Sequence, residues 1–524
     1  MVRSTHPDVE IPDVSVYDYL FGDLDEDRLD AVALIDGTSG ATTTYRRLVQ
    51  HIGLFAGALA ARGVGVGTRV GVLCPNVPAF ATVFHGILRA GATATTINSL
   101  YTPDEIANQL TDADAEWLIT VSPLLPGARA AAVTVGIPDD HIIVLDGADG
   151  HPSLAALLGE GHTPPTVSFD PGEHLAVLPY SSGTTGRPKG VMLTHRNLVA
   201  NVSQCRSTIS LADDDRVLAV LPFFHIYGMT VLLNFAMRQR AALVTMPRFD
   251  LAEFLRVVAE HRTSWVFIAP PIAVALAKHP LVDSFDLSSI KVVFSGAAPL
   301  DGALASAVAS RLGCTVCQGY GMTETSPVTH AIPADRIDID RSSVGLLLSG
   351  TEARLRDPET GDDVRVPAGG VSAPGELLIR GPQVMKGYLN RPDATAEMLD
   401  DDGWLHTGDV ATMTDDGVFR IVDRLKELIK YKGYQVAPAV LEAVLLEHPS
   451  IADAAVIGAL DDDGQEVPKA FVVRQADADL DAEAVMQHVA AHVAPHEKVR
   501  QVEFIDVIPK SASGKILRKD LRAR

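Results

Sequence analysis

Apolar runs of strand length alternate with helical segments early in this chain, and this alternation constrains the fold more than any other feature. The first helical segment carries one apolar face, formed by Leu48, Ile52, Phe55 and Leu59. Apolar strands are predicted at 69–74, 92–97 and 116–121, with a second helix at 78–90. Strands and helices in alternation predict βαβ units and a parallel sheet.

The same rhythm returns between residues 241 and 294, and the pattern then changes twice. From 344 to 380 the apolar segments shorten and turns become frequent, which favours an antiparallel region. From Arg424 onward the pattern is a compact α+β unit of about a hundred residues, a usual domain size. The predicted fold class is therefore α/β, with a large multi-subdomain N-terminal domain at 1–423, parallel-rich sheets and a small antiparallel region, followed by a small α+β C-terminal domain at 424–524.

Charge argues against two classes of partner. The 524 residues include 44 Lys and Arg against 66 Asp and Glu, a formal charge of −22 that repels nucleic acid and anionic lipid. The N-terminus lacks the apolar core of a signal peptide. Residues 217–237 carry no formal charge but are interrupted by polar residues, so a strand, a loop and a helix are predicted there rather than a membrane span. The expected compartment is the cytoplasm.

One segment has the composition of a phosphate cradle. It reads Ser181-Ser-Gly-Thr-Thr-Gly-Arg-Pro-Lys-Gly190 and lies between an apolar strand and a helix start. Glycines let backbone N–H groups turn toward an anion, hydroxyls add donors, and Lys189 supplies a positive charge. The Walker pattern differs, because it needs Gly-Lys-Ser/Thr in succession. A flexible linker is the alternative, but linkers rarely separate two buried elements.

Two further segments offer polar side chains after glycine turns. Gln318-Gly-Tyr-Gly-Met-Thr-Glu-Thr325 combines a flat ring with a hydroxyl and a carboxylate that suit a purine, a phosphate oxygen and a divalent cation. Gly403-Trp-Leu-His-Thr-Gly-Asp409 ends in an Asp that could accept two ribose hydroxyls. Each segment alone is equally compatible with an ordinary turn.

Two cationic segments lie near the end of this acidic chain. Residues 423–435 contain four positive charges: Arg424, Lys426, Lys430 and Lys432. Pro509-Lys-Ser-Ala-Ser-Gly-Lys-Ile-Leu-Arg518 places Lys515 after a Ser/Gly turn. A solvated charged face and a frayed basic tail are the respective alternatives.

Together, in this order and spacing, these segments resemble the adenylate-forming (ANL) superfamily of acyl- and aryl-CoA synthetases, and within it most the 4-coumarate–CoA ligases. The resemblance implies the ANL fold, in which residues 424–524 form a mobile lid that rotates near 423–424. It also implies two steps: a carboxylate and Mg·ATP give acyl-AMP and pyrophosphate, and coenzyme A then displaces AMP. ATP, Mg²⁺ and CoA are the expected cofactor and co-substrates, and a monomer or homodimer is expected.

The resemblance assigns the nucleotide site residue by residue. The β- and γ-phosphates would be held by Ser181, Ser182, Gly183, Thr184, Thr185 and Lys189. Adenine would lie against Gln318, Gly319 and Tyr320, and Thr323 would contact an α-phosphate oxygen.

The remaining catalytic roles follow from the same resemblance. Glu324 would ligate Mg²⁺, and Asp409, supported by Arg424, would bind the ribose hydroxyls. Lys515 would bridge the attacking carboxylate and the α-phosphate.

The same resemblance assigns the second state and the acid site. Lys430 and Gln435 would contact the adenylate after lid rotation, while Lys432 and Gly433 would border the CoA channel. His225 would gate the carboxylate entrance, although a lone histidine among apolar residues is more often part of a core. The acyl pocket would be lined by Ile226, Tyr227, Val231, Phe294, Ala297, Gly319, Gly321, Pro327 and Val328.

These small and apolar residues favour a flat ring, and Tyr227 could bind a phenolic end. Thr325-Ser326 departs from the Ala-Gly of the plant pattern and is expected to narrow or reshape the slot. The predicted reaction is therefore an acid–CoA ligation on 4-coumarate or a related aryl acid. A medium-chain fatty acid or a benzoate remains an alternative, as do a luciferase-like oxygenase and a carrier-protein adenylation module.

Overall fold

The computed structural model describes residues 1–181, 188–431, 434–461, 465–476, 478–511 and 514–524, the side chains of 434 and 435 excepted. Two large sheets form the body of the molecule. In the first, strand order across the sheet is Gly387–Tyr388, Lys189–Thr194, Leu175–Val177, Thr93–Thr96, Arg69–Leu73, Trp117–Thr120 and Ile142–Val144, and Tyr180–Ser181 pairs with Lys189–Thr194. The strands from Leu175–Val177 to Ile142–Val144 run parallel, as the alternation predicted.

The second large sheet is also parallel at its centre. Its order is Leu346–Leu347, Val328–Ala331, Thr315–Gly321, Val292–Ser295, Trp265–Ile268, Arg216–Ala219, Ala242–Thr245, Val32–Asp36 and Thr42–Thr44. The strands at the two ends of this order pair antiparallel. One apolar core draws residues from both sheets and from the helices that cover them.

Helices cover the two sheets, and the helix predicted at 78–90 is found at Pro78–Arg89. The large domain contains Val16–Phe21, Tyr45–Ala60, Pro78–Arg89, Pro103–Asp112, Leu125–Val135, Leu154–Gly159, His195–Arg206, Phe235–Gln239, Leu251–His261, Pro270–Lys278, Gly302–Leu312 and Pro392–Met398. The predicted apolar face of Tyr45–Ala60 is fully buried. Each large side chain buried there stabilises the fold by about 2 kcal/mol.

A smaller sheet is antiparallel throughout, as predicted for the turn-rich region. It consists of Val2–Arg3, Glu352–Arg356, Gly375–Arg380, Leu405–Met413 and Phe419–Arg424. Its last two strands bring Asp409 and Arg424 into register.

The C-terminal domain has a separate apolar core. Its elements are the strands Ile429–Tyr431, Tyr434–Val436, Ile451–Leu460, Glu466–Arg474 and Gln501–Phe504 and the helices Pro438–Glu447, Ala482–His492 and Arg518–Arg522. This is the α+β unit that the sequence predicted.

The uncharged stretch 217–237 forms the end of a strand, a loop, a π-helix at Tyr227–Asn234 and the start of a short helix. It is therefore buried structure, as predicted. Across the described ranges, every helix is too short or too polar to cross a bilayer.

Candidate active site

The predicted site residues meet where strands of the second sheet end. Arg216–Ala219 leads to His225, Val292–Ser295 leads to Ala297, and Thr315–Gly321 leads to Glu324. These strands are parallel, so their carboxyl ends lie at one edge of the sheet. That edge is where open α/β sheets bind ligands.

Asp409 is the centre of a charged cluster at this edge. Its side chain is buried, Oδ2 accepts a hydrogen bond of 2.5 Å from the Tyr320 hydroxyl, and Oδ1 lies 3.4 Å from Nε of Arg424. Burial raises the pKa of Asp409, and the charges of Arg424 and Lys515 and the Tyr320 hydrogen bond act against that rise. The structure therefore joins three residues predicted for adenine and ribose. Because Tyr320 is tied down at its hydroxyl, its ring has a fixed orientation.

Glu324 is a second buried carboxylate of the cluster. Its Oε1 accepts hydrogen bonds from Ser181 Oγ at 3.0 Å and from the Tyr388 hydroxyl at 2.8 Å. Both bonds end on Oε1, so neither of them occupies Oε2. Mg²⁺ typically binds one or two carboxylates together with substrate phosphates. A single carboxylate with one open oxygen fits such an ion, and the described ranges hold no group of three or more His, Cys, Asp or Glu side chains that could bind a metal without substrate.

Lys515 extends from the C-terminal domain into this cluster. It lies on a hairpin in which Lys510 pairs with Ile516 and Leu517 N donates to Pro509 O at 2.8 Å. Burial and the charge of Arg424 lower the pKa of Lys515, while Glu324 and Asp409 act in the opposite direction.

Gly514, next to Lys515, packs directly on the large domain. Its φ is +83°, and a Cβ added there would lie 3.1 Å from Cβ of Ala269. The hairpin thus approaches the large domain closely at a position that favours glycine.

His225 contacts the predicted acyl-site residue Tyr227 and lies within electrostatic range of Lys515. Its Nδ1 accepts a hydrogen bond of 3.3 Å from Tyr227 N. Burial and the charge of Lys515 lower the pKa of His225 to about 3. The imidazole is therefore neutral at physiological pH, which suits a position that a carboxylate passes.

The predicted acyl-site residues lie on neighbouring elements. The Tyr227 hydroxyl donates to Phe294 O at 3.4 Å, so this group is engaged within the protein. Ala297 has a φ of +71° directly after the strand that carries Phe294. Ile226, Val231, Phe294, Pro327 and Val328 are buried, and Gly319 and Gly321 are partly buried.

The hydroxyls of Thr325 and Ser326 bind to backbone carbonyl oxygens. Thr325 Oγ1 donates at 2.5 Å to Pro327 O, and Ser326 Oγ donates at 2.9 Å to Gln383 O. Both side chains are fully buried. Backbone carbonyls thus hold both hydroxyls inside the protein, and the expectation that Thr325-Ser326 narrow or reshape the slot stays a prediction.

The Gln318 side chain is engaged within the protein. Its Oε1 accepts from Leu300 N at 3.0 Å, and its Nε2 donates to the carbonyl oxygens of Leu300 and Arg341. The side chain therefore holds neighbouring backbone, and contact with adenine would have to come from its main chain. Thr323, two residues after this strand, is buried.

Of the residues predicted for the second step, Lys430 is the one whose side chain the structure describes. Lys430 is exposed, and its N–H donates to Glu466 Oε2 at 2.9 Å. Only the backbone of Gln435 is described. The predicted residues outside the described ranges are Ser182, Gly183, Thr184, Thr185, Lys432 and Gly433.

The sequence analysis missed Tyr388, which contacts Glu324 and also Lys189. Its sequence context, Gly387-Tyr-Leu-Asn390, has no cluster of polar residues. Tyr388 is placed at the site by the pairing of Gly387–Tyr388 with Lys189–Thr194. Local sequence periodicity does not reveal which strands pair.

Two models of known protein families match this chain. The family model of the AMP-binding enzymes matches residues 24–389, and that of the AMP-binding enzyme C-terminal domain matches 440–515. The chain therefore belongs to the AMP-binding enzyme family, and its adenylate-forming α/β fold is as predicted. The gap between the two matches includes the predicted boundary at 423/424, which stays a prediction.

Full-length relatives narrow the class. The chain is 43% identical to 4-coumarate–CoA ligase 5 of Oryza sativa subsp. japonica, over all of this chain and 97% of that protein. The structure of a benzoate CoA ligase from Burkholderia xenovorans has a TM-score of 0.86 at 26% identity, covering 97% of this chain and all of the other.

Another comparison concerns the arrangement of the domains. ATP-bound MatB from Rhodopseudomonas palustris has a TM-score of 0.87 at 29% identity, with 98% of this chain and 99% of MatB covered. Apo MatB has a TM-score of 0.78 at the same coverage. This structure is thus more similar to the ATP-bound arrangement.

Proposed function

We propose that this chain is an ATP-dependent carboxylic acid–CoA ligase that acts on 4-coumarate or a related aryl acid in the cytoplasm. The observation that carries the proposal is the packing of the Lys515 segment on the large domain, where Gly514 lies against Ala269 and the charges of Asp409 and Glu324 act on the lysine. A carboxylate and ATP repel each other, so a cation placed where they meet lowers the barrier to their reaction.

In the first step a substrate carboxylate oxygen attacks the α-phosphorus, and the bond to the β-phosphate breaks with release of pyrophosphate. Lys515 would contact both reacting groups, and Asp409 with Arg424 would orient the ribose. Glu324 would hold Mg²⁺, which when bound with ATP neutralises charge on the phosphate oxygens. The neutral His225 would let the acid pass without pairing with it.

In the second step the sulfur of CoA attacks the acyl carbon, the thiol proton is released, and AMP leaves. We infer that the lid, residues 424–524, rotates for this step, because Lys515 would obstruct a thiol that approaches from the same side. Lys430 and Gln435 would then approach the adenylate, and Lys432 and Gly433 would line the CoA channel. The exposure of Lys430 supports a role in a different arrangement from the present one.

Rotation at 423–424 would change identifiable contacts. Asp423 Oδ1 accepts from Arg424 N at 2.6 Å, and Oδ2 accepts from Ala439 N at 2.8 Å near the start of Pro438–Glu447. Asp423 thereby links the last strand of the small sheet to the first lid helix. Turning the lid would break the Ala439 bond and move Arg424 away from Asp409, so the present state is stabilised by contacts that close the first-step site.

The choice of an aryl acid rests on the acyl-site residues. Tyr227 and Phe294 would supply aromatic surface, and the hydroxyls of Thr325 and Ser326 are already bound to backbone carbonyls. Such a slot favours a flat ring. The fold similarity to a benzoate CoA ligase keeps benzoate as the second candidate.

The test is a panel of acids assayed for AMP release with and without CoA. We expect 4-coumarate and related hydroxycinnamates to have the highest kcat/KM, with benzoate and octanoate at least tenfold lower, because the slot favours an extended aromatic acid over a short ring or a flexible chain. A preference for octanoate would contradict the aryl assignment. Pyrophosphate release below background with every acid would contradict the ligase assignment, and light emission with a luciferin and oxygen would indicate the oxygenase.

A further inference from the structure

Tyr388 contacts two oppositely charged groups of the predicted nucleotide site. Its hydroxyl donates to Glu324 Oε1 at 2.8 Å, and Nζ of Lys189 lies 4.7 Å from the centre of its ring. The side chain is buried. One residue therefore touches both the carboxylate predicted for Mg²⁺ and the cation predicted for the phosphates.

The backbone around Tyr388 is attached to both partners. Gly387–Tyr388 pairs antiparallel with Lys189–Thr194. Three residues before Tyr388, Met385 N donates to Glu324 O at 2.8 Å. The segment is thus held between the two groups that its tyrosine contacts.

Gly387 makes this placement possible. Its φ is +145°, and a Cβ added there would lie 2.8 Å from Cγ2 of Thr395. The Thr395 hydroxyl in turn accepts from Tyr388 N at 2.9 Å. Thr395 therefore fixes the backbone of Tyr388 from the side opposite to the strand.

The two contacts keep both charges available. Within the described part of the chain, Lys189 and Glu324 form no ion pair with each other, and each contacts Tyr388 instead. A ring face holds an ammonium group without neutralising it. The hydroxyl occupies only Oε1 of the carboxylate. A tyrosine hydroxyl is protonated at physiological pH, so it remains a donor to Glu324.

We propose that Tyr388 is a positioning residue for metal-bound ATP. Its hydroxyl orients Glu324 so that Oε2 faces the divalent cation, and its ring holds Lys189 toward the phosphates. This role rests on the proposed nucleotide site. Groups that orient a metal ligand typically change metal affinity 10- to 100-fold when they are removed.

The test compares three variants of the full chain. Tyr388→Phe keeps the ring but removes the hydroxyl, and Tyr388→Leu removes both contacts. Tyr180→Phe is the matched control, because the Tyr180 hydroxyl also donates to a carboxylate, that of Asp112, at 2.8 Å. Binding of Mn²⁺ in the presence of ATP is followed by the electron paramagnetic resonance of free Mn²⁺. Binding of ATP in EDTA and thermal unfolding are measured in parallel.

We expect Tyr388→Phe to weaken Mn²⁺ binding about tenfold and to leave metal-free ATP binding within twofold of wild type. Tyr388→Leu should weaken metal-free ATP binding as well, by about two- to fivefold, because the contact with Lys189 is lost. Tyr180→Phe should change neither the Mn²⁺ affinity nor the ATP affinity. It should lower the unfolding temperature about as much as Tyr388→Phe does.

Wild-type Mn²⁺ affinity in both Tyr388 variants would overturn the proposal, as would an equal loss in Tyr180→Phe. These measurements need no acid substrate. If the protein binds Mn²⁺ and ATP but releases no AMP with any acid of the panel, only the ligase assignment is contradicted. Failure of the wild type to bind Mn²⁺ with ATP would contradict both.

Discussion

At the scale of residues, the candidate site concentrates charge in a place with little water. Asp409 and Glu324 are buried, and Arg424 and Lys515 lie beside them. Burial alone would favour neutral forms of these groups. The opposite charges offset that cost, and the same arrangement gives each group a strong effect on a bound anion.

Replacing Lys515 separates the two proposed half-reactions. We expect Lys515→Ala to lower acyl-AMP formation by at least a hundredfold, because the cation between carboxylate and α-phosphate is lost. Thioester formation from supplied acyl-AMP and CoA should stay within a few-fold of wild type. Pyrophosphate release measures the first rate, and thioester absorbance measures the second.

Lys519→Ala is the control for this variant, because Lys519 is exposed and lies only four residues further along the chain. It should leave both rates unchanged. Equal losses in the two half-reactions of Lys515→Ala would contradict the assigned role.

At the scale of elements, the hairpin that carries Lys515 is anchored at both ends. Lys510 pairs with Asp453 at 2.6 Å, and Arg518 pairs with Glu442 at 2.7 Å on the helix Pro438–Glu447. Arg518 Nε also donates to Val456 O at 3.2 Å. The flanks of the segment that carries Lys515 are thus fixed, at Lys510 and Arg518, to a strand and to a helix of the lid.

Removing one anchor should destabilise the lid. Arg518→Met leaves Glu442 buried without its partner, and loss of one member of a buried pair costs about 3–5 kcal/mol. We expect faster hydrogen exchange in Pro438–Glu447 and a slower first half-reaction.

Arg336→Met is the matched control. It breaks the exposed pair with Asp338, and a pair of this kind contributes about 0–1 kcal/mol. Similar hydrogen exchange in the two variants would show that Arg518 does not anchor the lid.

At the scale of the whole molecule, buried histidines lie between packed elements of the large domain. His85, on the helix Pro78–Arg89, is fully buried, its Nδ1 donates to Ala81 O at 2.8 Å, and its Nε2 meets the side-chain amide of Asn234 at 3.0 Å. Burial lowers the pKa of His85 to about 4. The native state therefore keeps this ring neutral where the unfolded chain takes up a proton.

This difference makes the stability depend on pH. Because the native pKa lies below the unfolded value of about 6.5, the contribution of His85 is complete above pH 6.5 and is lost as the pH falls toward 4. The expected slope is about 1.4 kcal/mol per pH unit. In urea titrations at pH 7, 6 and 5, the stability difference between wild type and His85→Gln should shrink as the pH falls. A constant difference would contradict the prediction.

Much of the fold could be read from local patterns. The helix Pro78–Arg89 and the strands Arg69–Leu73, Thr93–Thr96 and Trp117–Thr120 agree with the predicted bounds to within one residue at each end, because periodicity acts within a few positions. The motif residues Asp409, Arg424 and Lys515 were also identified before their contacts were known.

The contacts between distant segments could not be read in this way. Tyr388 contacts Glu324 and Lys189, and Ser326 donates to Gln383 O, only because sheet order and chain packing bring those atoms together. Local sequence preference carries information over a few residues, whereas such contacts depend on which strands become neighbours. The amino-acid order thus specified the elements and the chemical groups, and folding in three dimensions specified which groups act on one another.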